Sequence, residues 1–142
     1  MKIDVDRIGD LRAHPLMLGT EYRLVVRHSY DADLASDMVL GLSQFLYVVV
    51  LSSSEVSPPV LIDEAWHDSL IDTRNYRAIC DEFFGRFVHH NPPLGIDIDH
   101  RSSTFLGISE TVNLGLEIFG NSLVRRVWRR SAEVRPLRSV GL

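Results

Sequence analysis

An apolar run from Met38 to Leu51 constrains this chain more than any other feature. Gly41, Ser43 and Gln44 interrupt it, and it falls short of the ~20 residues that a bilayer span needs. Extended back to residue 33, it shows helical spacing. Leu34, Met38, Leu42, Phe45 and Val49 follow one stripe, and Val39, Leu46 and Val50 widen it. Asp31 or Asp33 can cap the free N–H groups at its start. A helix over 33–52 that is apolar around most of its circumference must be surrounded by other elements, so it is expected at the centre of the fold.

The remaining pattern supplies those elements. Thr20 is a cap candidate for a helix over 20–28, although Leu24, Val25 and Val26 also suit a short strand, as do residues 3–5. Residues 59–71 begin with a proline at a permitted first-turn position. Thr73 is placed to cap a helix in which Tyr76, Cys80, Phe83 and Phe87 recur at helical intervals, with Gly85 or Pro92-Pro93 as its stop. After a loop carrying Asp97, Asp99 and His100, Ser102 or Ser103 opens a helix with Phe105, Ile108, Val112, Leu116 and Phe119 on one face, closed by Gly120. Ser122 can start a last short helix through Val127 and Trp128. The expected fold class is all-α, a compact single-domain bundle of about five to six helices over residues 1–142. The Arg-rich segment 125–142 is expected to have freedom to move.

Composition narrows the function classes. With 45% hydrophobic and 24% charged residues the chain is of ordinary globular make-up. Its one cysteine allows no internal disulfide, which suits a reducing compartment. The N-terminus, MKIDVDRIGD, has no apolar core of a secretory signal. A cytoplasmic location and no membrane partner are therefore expected. Residues 1–124 hold nine basic and eighteen acidic side chains, a balance of −9, whereas residues 125–142 hold six arginines against Glu133, a balance of +5. An acidic body opposes general nucleic-acid binding, which needs a positive surface. The tail alone keeps nucleic acid in view, through residues 125–138.

The densest chemistry lies between Leu61 and Pro93. Asp63 and His67 are four residues apart and share one helical face. Joined by His89 or His90, they would make a three-donor zinc or iron site with an open position. The alternative is structural: Asp63 caps a helix, His67 bonds to it, and His89-His90 suit a helix C-terminus. The turn after Ile71 would let a second helix fold back and bring His89-His90 toward Asp63. Cys80 could be a thiol nucleophile, but on a stripe with Tyr76 and Phe83 it reads as core packing. Trp66 and Tyr76 read as core rather than as a ligand pocket. Asp97-Ile98-Asp99-His100 lacks the other ligands of a calcium loop and reads as a solvated loop. No P-loop, G-x-G-x-x-G, G-x-S-x-G or H-E-x-x-H motif is present.

This stretch resembles the core motif of the glycine-rich domain-containing protein-like family, which has plant members with added glycine-rich regions and many short bacterial and phage-borne members. The matching features are Asp63-Glu64, Trp66-His67, Thr73-Arg74, Tyr76, Cys80, Gly85, Phe87 and His89-His90 before Pro92. Ser69 stands where some members carry a second histidine, and Ile79 where an aromatic residue is common. No glycine-rich region is present. The resemblance implies a helical fold and no settled activity.

In the tail, Arg125, Arg126, Arg129 and Arg130 flank Val127 and Trp128, a basic helical face with an aromatic side chain suited to phosphate, an acidic patch on a partner protein or the chain's own acidic body. Three functions are expected in order: an interaction module without catalytic activity that binds another macromolecule, a protein first; a metal-binding protein or metal-dependent enzyme on Asp63, His67 and His89 or His90; and a nucleic-acid-associated factor.

Overall fold

The computed structural model describes residues 1–90 and 105–129, and seven α-helices lie among them. A 3₁₀ turn, Val5–Arg7, leads into α1 (Ile8–Arg12) and α2 (Pro15–Val26). The central helix α3 spans Ala32–Leu51, followed by β1 (Glu55–Val56), α4 (Val60–Ser69) and α5 (Thr73–Ile79). A single π turn, Cys80–Phe84, extends α5. The C-terminal side holds β2 (Phe105–Leu106), α6 (Ile108–Phe119) and α7 (Arg125–Trp128). The class is all-α. Among the described residues one strand pairing occurs, parallel and two residues long, Glu55 with Phe105 and Val56 with Leu106.

The apolar run behaves as its pattern requires. Twelve of the twenty residues of α3 are buried, including Gly41, Ser43 and Gln44. α3 is long and apolar enough to cross a membrane, but 67% of its most apolar stretch is buried inside the protein, which marks a core helix. It packs against α1, α2, α4, α6 and α7. Its interruptions are the means of that packing. At Gly41 a Cβ would stand 2.5 Å from Val127 and 3.2 Å from Ile62, so only glycine lets α4 and α7 close on this point. Ser43 donates to the carbonyl of Val39 within the helix. Gln44 reaches outward, donating to the Ser122 carbonyl and accepting from the Val124 N–H and the Trp128 indole N–H.

Several boundaries differ from the sequence expectation. α2 begins at Pro15, where the His14 ring accepts from the Leu16 N–H, so His14 and not Thr20 is the cap. Thr20 is buried mid-helix and bonds back to the Leu16 carbonyl. Residues 3–5 form no strand; Asp4 caps the 3₁₀ turn instead. Asp72, not Thr73, caps α5 through the Asn75 N–H. Phe105 stands in β2 rather than on the following helix, which starts at Ile108. Pro92-Pro93, the Asp97–His100 loop, Ser102, Ser103 and Arg130 lie outside the described residues.

Candidate metal centre

The face of α4 that carries Leu61, Ile62, Ala65 and Trp66 is buried, with the Trp66 ring edge-on to Phe45 of α3 at 5.4 Å. Asp63 and His67 lie on the outer face. Burying the first stripe necessarily turns the second outward, because residues four apart stack on one side of a helix. The His67 Nε2 stands 3.8 Å from Asp63 Oδ2.

The third group arrives from α5. That helix widens into its π turn and stops at Gly85, whose φ of +70° is a backbone conformation that favours glycine. The following residues are then held at Val88 from both sides. The Trp66 indole N–H donates to the Tyr76 hydroxyl at 3.0 Å, and that hydroxyl donates to the Val88 carbonyl. The Val88 N–H donates to Cys80 Sγ at 3.4 Å. Two residues on, His90 Nε2 meets Asp63 Oδ1 at 2.7 Å, with its ring edge-on to Trp66 and to His67 at 4.4 Å each. His90 is the most enclosed of the three donors and His67 the most open.

One donor atom from each of Asp63, His67 and His90 falls within 4.8 Å of the others. Tetrahedral ligands ~2.1 Å from an ion sit ~3.4 Å apart. Asp63 meets the two imidazoles through different oxygens, Oδ1 to His90 at 2.7 Å and Oδ2 to His67 at 3.8 Å, and these distances bracket that separation. Two imidazoles and a carboxylate suit zinc or iron(II) and leave coordination positions free.

His89 does not join this cluster. Its ring lies against Phe87 at 4.7 Å, and it faces a cavity of about 290 Å³ shared with Arg86 and Ser52–Ser54. The folding-back of the second helix brings the histidine pair to Asp63, and the chain selects His90. Cys80 is fully buried, and burial pushes its thiol pKa up, away from a reactive thiolate. Burial likewise raises the Tyr76 hydroxyl.

Asp68 carries a role that local spacing does not signal. It is 4% exposed, accepts from Arg23 Nε at 2.8 Å, and lies 3.3 Å from His28 Nε2, tying α4 to α2. Its partners are forty and more residues away in sequence.

The arginines in and just after the last helix divide. Arg126 pairs with Asp37 of α3 at 3.4 Å. Arg125 and Arg129 line a groove of about 380 Å³ between α6 and α7. Trp128 is 1% exposed, so the aromatic expected on the basic face is instead a core residue, tilted against Phe45 at 5.9 Å.

Compared with known families, the chain matches the family model described as UCP032817-like over residues 10–133. No curated protein and no solved structure matches it.

Proposed function

The chain belongs to the UCP032817-like family, and from the geometry of its α4–His90 cluster we propose that it is a metal-binding protein. The ion is zinc or iron(II), held by Asp63, His67 and His90. The convergence of three donors from two separate segments carries this reading. Three protein donors leave room for a water or a substrate oxygen on the His67 side, which is the exposed side. The resemblance to the glycine-rich domain-containing protein-like family belongs to the same proposal. The motif residues Trp66, Tyr76 and Cys80 are the ones that fix Val88, and so support His90 at Asp63.

Cobalt(II) titration of the purified, metal-stripped protein tests it. A one-to-one visible absorption band is expected, displaced by zinc. His67→Ala and His90→Ala should each weaken binding by about 10- to 100-fold or more. His89→Ala should leave it unchanged. Equal losses at His89 and His90, or no stoichiometric uptake of cobalt, zinc or iron(II), would reject the site.

A second reading, an interaction module for a protein partner, is supported by the groove between α6 and α7, whose two arginines face no carboxylate among the described residues.

A further inference from the structure

We propose that the α6–α7 groove docks an acidic amphipathic helix of a partner protein. The α6 side of the groove carries an apolar stripe: Ile108, Val112 and Leu116 recur at four-residue steps, with Ser109 and Asn113 beside them. These positions span about 12 Å at ~1.5 Å per residue, two turns of a docked helix. Leu123 and Trp128 close the floor, both nearly fully buried. That floor is rigid. The Trp128 indole is bonded to Gln44, and Gly115 of α6 sits so close to the indole that a Cβ would stand 3.2 Å from it.

The opposite wall is cationic. Arg125 opens α7 and Arg129 follows its last residue in extended backbone, and each lines the groove. Among the described residues Arg125 donates to the neutral amide oxygen of Asn121, at 3.4 Å, and neither guanidinium has a carboxylate partner there. This contrasts with Arg126 on the same helix, which the protein satisfies itself through Asp37. An apolar stripe on α6 and two arginines on the other side of one groove are complementary to a helix with leucine-like anchors on one side and Asp or Glu beside them. Arginine is well suited to the pairing, since its planar fork bonds a carboxylate at two points. A nucleic acid would leave the apolar wall uncovered, and two arginines neutralise too few phosphates for firm binding.

Three fluorescein-labelled 15-residue peptides test the proposal by anisotropy against the full chain. One places leucines three and four apart with glutamates between them. The second has the same leucines with lysines. The third has the first peptide's composition shuffled so that no apolar face forms. The first should bind at least about tenfold more tightly than either control. Arg125→Glu with Arg129→Glu should remove that preference, and so should Asn113→Trp, which fills the groove from an exposed position on its wall. Arg126→Glu should change the affinity by no more than about twofold, since its partner lies on α3. Equal binding of the first and third peptides reduces the effect to bulk charge and overturns the proposal. So does equal binding of the lysine peptide, indifference to both groove variants, or no binding of any peptide up to about 1 mM.

Discussion

Tyr76 is the residue on which the candidate centre depends most, although it donates nothing to a metal. Its hydroxyl accepts from Trp66 and donates to Val88, both buried. Tyr76→Phe would leave an indole N–H and a carbonyl without partners at a cost of about 1–3 kcal/mol. Freed from that hold, His90 would also ligate less well, and cobalt affinity should fall about tenfold or more. A variant that loses stability but keeps full cobalt affinity would show that Tyr76 is core alone. Cys80 should label slowly with a thiol reagent in the native protein and quickly after denaturation, because it is fully buried and its ionisation is suppressed. The same suppression has a pH signature. Burial raises Cys80 above its ordinary value of 9.0, Tyr47 to about 12, and Tyr76 as well. Groups whose folded pKa is raised stabilise the protein fully below their unfolded values and lose that contribution as pH climbs toward the folded ones. Melting temperature should therefore decline progressively above about pH 9–10. At this scale the sequence was partly legible. Asp63 and His67 follow from a spacing of four, but nothing local distinguishes His90 from its neighbour. Val88, two residues before His90, is held by accepting from the Tyr76 hydroxyl and donating to Cys80 Sγ.

The elements were legible where apolar spacing alone decides them, and less so where a cap decides. α3 and α4 lie within a residue or two of their expected bounds, because a buried stripe fixes them. α2 does not, since histidine is an uncommon cap and Thr20 resembled a better one. Phe105 fits the α6 periodicity but is drawn into the pairing with Glu55, fifty residues away, which no local pattern announces. The exit from α2 is also unusual. Ser29 adopts φ +60° while the Tyr30 N–H returns to the Leu24 carbonyl. A side chain pays about 1 kcal/mol in that conformation, and glycine does not. Ser29→Gly should raise the melting temperature by roughly 3–5 °C, measured by circular dichroism. An unchanged or lower value would mean that the exposed serine makes up the difference elsewhere.

Across the whole molecule, α3 is the hub and Gln44 its polar fastening to the C-terminal side. One buried amide satisfies the Ser122 carbonyl, the Val124 N–H and the Trp128 indole. Gln44→Leu keeps the bulk but strands all three, and urea unfolding should show a loss of about 3 kcal/mol or more. A loss below about 1 kcal/mol would mean that water replaces the amide. The groove between α6 and α7 should suffer with it, since the same bond steadies its floor.

That fastening also sets an order in time. The groups that meet Gln44 are 78 to 84 residues further along the chain. At ~5–20 residues per second, a ribosome delivers them roughly 4–17 s after Gln44 itself. For those seconds the apolar residues of α3 lack the α6 and α7 residues that cover them in the folded protein, and Gln44 lacks its partners. Exposed apolar surface of that kind favours aggregation, so the cover that α6 and α7 give α3 is the part of the fold that synthesis completes late.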